Sequence, residues 1–225
     1  MSQRYLAGFI QTGLFNPLAA PTPTYTYGLW SWGQNNSGQL GLGNTTRYSS
    51  PKQVGALTTW LNVEGGAAFN MAIKTNGTLW SWGQNSIGQL GLGNITYYSS
   101  PKQVGALTTW SNIAAGAAHT IATKTDGTLW SWGSNVDGQL GLGNITYYLS
   151  PKQVGSLTTW SNIACGYYHS IATKTDGTLW SWGYNAQGQL GQNTLTNYSS
   201  PVQVGALTTW LNISCGSYST IALKY

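Results

Sequence analysis

A pattern of 50 residues runs four times along this 225-residue chain without slippage. The run LWSWG begins at Leu29, Leu79, Leu129 and Leu179, and TTW ends at Trp60, Trp110, Trp160 and Trp210. Residues 80–129 and 130–179 differ at nine of 50 positions. Self-similarity of this kind means one supersecondary unit stacked on copies of itself, each burying a face that it cannot bury alone. Three tryptophans per unit account for all twelve in the chain.

Each unit reads as four short strands. In TIATKTDGTLWSWG, apolar and polar residues alternate on both sides of Asp126-Gly127, and Asn76-Gly77 and Asp176-Gly177 repeat the signal. Such a dipeptide predicts a hairpin turn with positive φ at both central residues. Strands are expected at WSNIA (A), HTIATK (B), LWSWG (C) and PKQVG (D), with a glycine-rich loop between C and D. Nothing has helical periodicity over a useful length. Four-stranded meanders at this spacing predict an all-β fold, a β-propeller with one blade per repeat. Strand D fits the outer edge, since a proline opens it and a lysine follows, both of which discourage edge pairing. Strand A fits the axis, where Gly65, Gly66, Ala114, Ala115, Ala164 and Gly166 leave room for crowding. Side chains two apart share a strand face. Trp30 with Trp32, Trp80 with Trp82, Trp130 with Trp132, and Trp180 with Trp182 should therefore wedge between blades.

The ends of the repeat domain, residues 24–225, are half-blades. Leu29 to Gly55 supply C and D without a preceding A and B, and Leu211 to Lys224 supply A and B without a following C. Joining the two halves would close the ring. Four blades in one ring turn about 90° each and eight turn about 45°, at the two limits of the roughly 4-to-8 range of propellers. A homo-oligomer, two chains exchanging half-blades into eight blades, is slightly favoured. A single-chain ring of four stays open, because twelve tryptophans could fill wider wedges.

Charged residues make up 6% of the chain, against roughly 25% in ordinary domains. The net charge of +5 comes largely from copies of two repeat positions, Lys52, Lys102 and Lys152, and Lys74, Lys124, Lys174 and Lys224. Basicity spread in this way is not the clustered footprint of a nucleic-acid binder. No apolar run approaches the roughly 20 residues of a membrane span, so no membrane insertion is expected. Met1 to Arg4 followed by YLAGFI resembles the start of a signal peptide, but Gln11, Thr12 and Gly13 interrupt it, and secretion by that route is not expected.

Catalytic chemistry finds little to work with. His119 and His169 occupy a position held by Phe69 and Ser219 in the other units, which favours packing. The four acids are Glu64, Asp126, Asp137 and Asp176, two of them in hairpin turns, so paired carboxylates for acid–base work are not available. Cys165 and Cys215 align with Ala115 and Gly65 and read as small buried residues near the axis. No zinc spacing, phosphate loop or calcium loop is present. The expectation is a protein that is not an enzyme and uses no metal or cofactor.

Differences between units cluster in two connections. They fall at Gln34, Gln84, Ser134 and Tyr184, and at Ser37, Ile87, Asp137 and Gln187, which begin the C-to-D loop. They fall also at Ala67-Ala68, Ala117-Ala118, Tyr167-Tyr168 and Ser217-Tyr218 between A and B. In an up-and-down blade both connections emerge on one face, while the Asp-Gly turn and the nearly uniform GALTTW link emerge on the other. Variation confined to one face marks it as ligand-facing, with Tyr167, Tyr168, Tyr184 and Tyr218 as the expected contacts. Tyr48, Tyr97, Tyr98, Tyr147, Tyr148 and Tyr198 in the C-to-D loop could be exposed or could pack on the next blade.

The segments GTLWSWGSNVDGQLGLGN, SPKQVG and IACGYYHSIATKTDG resemble the repeat of the regulator of chromosome condensation family over about residues 24–225. The WG, GQLG, P-V and G-x-x-H-s elements stand in that family's order and near its spacing. The resemblance implies a propeller with noncovalent ring closure. Members that exchange guanine nucleotides usually have seven blades and extra loops, whereas this chain has four repeats and no such insertion, so exchange activity is not implied. Residues 1–23 lie outside the repeats. Their opening resembles the leading segments of virion proteins of marine tailed phages, an Arg-aromatic-Leu-x-Gly-x-Ile start before a variable surface domain. That likeness implies an attachment arm using Arg4, Tyr5, Leu6, Phe9, Ile10, Leu14 and Phe15, and virion proteins as partners. The expected role is a structural or adhesive virion-surface protein (tail fibre, spike or capsid decoration) that binds a host-surface glycan or protein. The alternative is a soluble recognition module, either a lectin-like propeller or an exchange-factor-like partner of a GTPase.

Overall fold

The computed structural model describes residues 28–56 and 59–225, and every described element is a β-strand or a turn. The attachment arm expected at residues 1–23 lies outside the described residues. The chain opens with a two-stranded half-blade, β1 (Trp30–Gly33) and β2 (Tyr48–Gln53). Three complete four-stranded blades follow. They are β3 (Trp60–Gly65) to β6 (Tyr98–Gln103), β7 (Trp110–Ala115) to β10 (Tyr148–Gln153), and β11 (Trp160–Cys165) to β14 (Tyr198–Gln203). A second half-blade, β15 (Trp210–Cys215) with β16 (Thr220–Lys224), is the last described. All pairings are antiparallel between chain neighbours, as in propeller blades. Among the described residues β1–β2 and β15–β16 are separate sheets, and no strand pairing joins the two half-blades.

Two local expectations change. The Asp-Gly hairpins have the expected place but another turn. Gly127 has φ +76° while Asp126 stays at negative φ, and Lys124 pairs with Thr128 across a three-residue loop. This is a type I turn followed by a left-handed glycine. The Asp126 carboxylate stabilises it by accepting from the Thr128 amide at 3.0 Å and hydroxyl at 2.6 Å. The outer strand, expected to open at proline, starts three residues earlier. Pro101 is the fourth residue of β6 (Tyr98–Gln103), inside a bulge where Gly83 pairs with Tyr98 and Ser81 with Lys102. A bulged outer edge is where a missing N–H costs no ladder hydrogen bond.

Blades are joined by a tryptophan from strand C. Trp82 is 2% exposed, and its Nε1 donates across to the Gln39 carbonyl of the preceding repeat at 2.9 Å. Trp132 to Gln89 and Trp182 to Gln139 repeat the bond at 3.0 and 2.9 Å. A Cβ on Gly41, the second glycine of GQLG, would lie 2.8 Å from the Trp82 nitrogen, and Gly91 and Gly141 stand equally close to Trp132 and Trp182. Around Trp132, Met71, Ile73, Leu79 and Leu90 of one blade meet Ile113 and Ala122 of the next. Trp80, Trp130 and Trp180 are half-buried. Each indole bonds its own Thr78, Thr128 or Thr178 hydroxyl, and Lys74, Lys124 and Lys174 lie 3.5–3.6 Å over the rings. These lysines are thus committed to the scaffold, and burial pulls their pKa down. Trp30 and Trp32, expected as wedges too, are 53% and 58% exposed, because among the described residues no blade stands beside them.

The two histidines also bridge blades. His119 Nε2 lies 3.0 Å from the Ser170 hydroxyl, which itself donates to the Gln139 carbonyl. The hydroxyl has one proton and spends it on Gln139, so the imidazole donates through Nε2. His169 does the same with Thr220, which donates to Gln189. Both Nδ1 atoms are buried with no partner, and Gly116 and Gly166 cover the rings so closely that a Cβ would overlap them. Burial holds His119 at a pKa of about 3, with His169 as a secondary influence, and His169 at about 4.

Removing a wedge leaves a cavity between blades. Trp132→Ala should cost about 3–5 kcal/mol, the usual penalty for an aromatic core truncation, and denaturant melts will measure it. The histidines predict an acid dependence. Their folded pKa values lie below the unfolded value, so their stabilising contribution is complete above about pH 6.5 and falls away as pH drops toward 4. In His119→Phe/His169→Phe, which copies Phe69, melts between pH 7 and 4.5 should show a shallower decline than in the parent.

Candidate functional site

The two faces of the described blades are built differently. On the face with the Asp-Gly turns, the last three links between units are tied to the preceding hairpin: Trp110 N–H to the Gly77 carbonyl, Trp160 to Gly127 and Trp210 to Gly177, each at 3.1 Å. A Cβ on Gly77 would strike the Thr108 carbonyl. Sequence there is held uniform by the scaffold. On the other face, the A-to-B connections are hydrogen-bonded to one another through backbone, Ala117 N–H to the Tyr167 carbonyl at 3.1 Å and Tyr167 N–H to Ser217 at 3.0 Å. Backbone bonds ask nothing of the side chains, which are free to differ.

The structure brings the four expected tyrosines together on that face. Tyr167 and Tyr218, 42% and 48% exposed, stack with centroids 6.2 Å apart and planes at 18°. Tyr168 lies 5.6 Å from Tyr167 and 6.1 Å from Tyr218, and Tyr184 joins from the C-to-D loop 6.2 Å from both Tyr168 and Tyr218. Loop backbone fixes the set, since Tyr184 N–H donates to the Tyr168 carbonyl at 2.9 Å. Residues from three separate segments thus form one aromatic surface.

Beside it opens a depression of about 350 Å³ at the inner ends of the A strands, which Tyr167 helps to line. Its wall repeats small residues: Gly65-Gly66, Ala115-Gly116, Cys165-Gly166 and Cys215-Gly216. No charged side chain lines it among the described residues. The cysteines are half-buried, with sulfurs 4.0 Å from the Ser170 and Thr220 hydroxyls. Burial pushes the Cys165 thiol up, and Cys215 to about 11, so neither is a thiolate at neutral pH. Among the described residues no group of three or more His, Cys, Asp and Glu could hold a metal ion.

The loop tyrosines divide. Tyr97 and Tyr147 are exposed, whereas Tyr48, Tyr98, Tyr148 and Tyr198 are half-buried. In the first three units the latter hydroxyls meet Asn44, Asn94 and Asn144, and their rings lie under Lys52, Lys102 and Lys152. Sequence reading missed Asn197, which takes the place of Tyr97 and Tyr147 in the fourth unit. Its side chain donates to Asp137 at 3.2 Å and accepts from the Asn185 amide at 2.8 Å, tying the third loop to the fourth beside the tyrosines. The departure of GQNTLTN from GLGNITY was its signal.

Solved structures place this arrangement among large propellers. Human WBSCR16 matches with a TM-score of 0.80 at 24% identity, over 89% of this chain and 54% of its own. Prp20p from Saccharomyces cerevisiae, described with its binding to Gsp1p and histones, matches with 0.77 at 21% identity, over 87% and 52%. The same yeast protein bound to Kap60 gives 0.76. The chain spans about half the length of the structures it matches. A comparison with curated proteins found no match. The model of the regulator of chromosome condensation (RCC1) repeat matches residues 28–73, 76–123, 126–173 and 176–223, and a second model of that repeat matches 110–139 and 160–189. With nearly every described residue inside one of these repeats, the chain belongs to the regulator of chromosome condensation repeat family.

Proposed function

We propose that this protein is a non-enzymatic recognition propeller whose tyrosine face binds a neutral, ring-bearing ligand, a glycan in the first instance. The observation that carries the reading is the four-tyrosine surface, assembled where the scaffold leaves side chains free. Tyrosine offers a rigid, amphipathic area at low entropic cost. The lack of lining charge disfavours phosphates and nucleic acid and suits hydroxyl-rich, uncharged rings. The finer placement, display on a phage virion surface with residues 1–23 joined to other virion proteins, rests on the likeness of the opening sequence alone. Mass spectrometry of a purified particle tests that placement, and absence of the chain from every particle fraction would remove it.

The other reading, an exchange-factor-like GTPase partner, draws on the relation to Prp20p, whose description names Gsp1p. A nucleotide-release assay separates the two, and no acceleration is expected. On a glycan array, Tyr167→Ala and Tyr218→Ala should each weaken binding by on the order of tenfold, about 1.4 kcal/mol, with melting temperature unchanged. An array on which the parent and both variants behave alike would count against the tyrosine face.

A further inference from the structure

Among the described residues the blade-to-blade seat occurs three times with a tryptophan and a fourth time without one. In the occupied seats one glutamine carbonyl receives two donors. Gln39 takes Trp82 and Asn70, Gln89 takes Trp132 and Thr120, and Gln139 takes Trp182 and Ser170. The Gln189 carbonyl takes Thr220 at 2.9 Å, with no tryptophan among the described residues. A Cβ on Gly91 or Gly141 would strike an indole, whereas one on Gly191 would meet only Val204 at 3.4 Å. Gly88 and Gly138 press on the backbone of the following blade's outer strand, while Gly188 faces only the tip of Leu195 at 3.7 Å. A groove of about 430 Å³ runs over Gly188, Gln189, Gly191, Val204 and Trp210.

At the far end of the arc stand the side chains that such a seat takes. Trp30 and Trp32 are half exposed on β1, while Trp82, Trp132 and Trp182 at the same repeat position as Trp32 are buried. On β16, Ile221 and Leu223 are 68% and 62% exposed, although Ile121 and Ile171, at the repeat position of Ile221, and Ile73, at that of Leu223, are buried. Lys224 lies 5.9 Å over Trp210, but the second ring that encloses Lys74, Lys124 and Lys174 is missing.

We propose that a second copy of this chain fills the seat: β16 of each copy pairs with β1 of the other, and two chains close an eight-bladed ring. The register follows from the complete blades, where Thr120 opposes Trp132 and Ala122 opposes Trp130. Thr220 then opposes Trp32 of the second copy and Ala222 opposes its Trp30. Trp32 donates to Gln189 over Gly191, and Trp30 covers Lys224. The interface continues one already built three times inside the chain, so it needs no new packing solution. Curvature selects a second copy over the chain's own other end. The arc overlays only 50–54% of each large propeller it resembles, with TM-scores of 0.76–0.80. It therefore turns at the rate of a ring about twice its length, near the 45° or so per blade of eight blades and far from the 90° or so of four. Two equivalent seams related by a two-fold axis give a closed assembly.

Light scattering on the full chain across a dilution series tests this, with Trp32→Ala and Trp30→Ala as seam variants and circular dichroism as the check on folding. Trp32 and Trp30 are 58% and 53% exposed within a single copy, so both variants should keep the parent spectrum. The expected result is a parent of twice the chain mass and variants whose dimer dissociates at concentrations roughly tenfold higher or more, the loss typical of a buried aromatic anchor. A parent that is monomeric throughout overturns the proposal: Trp32 shielded from a soluble quencher would then mark closure within one chain, and Trp32 freely quenched an open arc. A dimer that both variants leave intact, or an assembly of more than two chains, overturns it as well.

Discussion

A tryptophan indole donating to a backbone carbonyl of the preceding repeat, over a glycine that makes room for it, is the contact on which this propeller depends. Blades do not share strands, so nothing in the sheet ladders ties one to the next. Trp82, Trp132 and Trp182 supply that tie, filling the gap between sheets with a large apolar ring and satisfying their only polar atom in the same act. The geometry also explains why GQLG recurs: Gly38 and Gly41 are pressed from the neighbouring blade, and Leu40 between them is buried. Asn35 then holds the loop in shape by accepting the Leu40 amide and donating to the Asn44 and Thr46 carbonyls. Charge is nearly absent from this scheme, which is how a chain with 6% charged residues can still specify one packing.

Much of this was legible because a repeat writes its rules several times. Strands B and C appear at the expected limits, His119–Lys124 and Leu129–Gly133, since alternation and a strong turn dipeptide bracket them. Strand D was misplaced by three residues because its pairing runs through a bulge on the outer strand, where Tyr148 pairs with Gly133 and Lys152 with Ser131, and strand alternation does not mark a bulge. The turn dipeptide identified the hairpin but not its type, which depends on the bond from the Thr128 hydroxyl to Asp126. Periodicity placed all eight strand-C tryptophans in one role. Only the structure separates the buried wedge Trp132 from half-buried Trp130, because depth in a wedge-shaped gap is not encoded in strand alternation.

The candidate site was legible by a different logic. Comparing the units with one another finds positions that the scaffold ignores, and the hydrogen bonds supply the physical reason. Where loops touch through backbone, as at Ala117 and Tyr167, any side chain fits; where a glycine meets a carbonyl, as at Gly77 and Thr108, almost none does. Comparison of units could not foresee that Tyr167 and Tyr218, 51 positions apart in sequence, would stack nearly parallel. Nor could it show that the axial depression would adjoin them. Those facts belong to the angle between neighbouring blades, and that angle is set by the tryptophan wedge.

The two readings of this molecule meet at the fourth repeat. Tyr218 belongs to the aromatic cluster and also borders the vacant seat, so the proposed seam runs beside the proposed ligand site. A ring of two chains would carry two such clusters on one face, half a turn apart. Stacking on tyrosine without a charged partner gives modest affinity at each site, because an uncharged ligand brings no charge-assisted hydrogen bond. Two linked sites meeting a multivalent surface can raise the apparent affinity by roughly 10²- to 10⁴-fold without any new contact. A duplicated, charge-poor propeller therefore gains more from closing as a pair than stability alone: the same wedge that buries its exposed tryptophans would also make a weak recognition face bivalent.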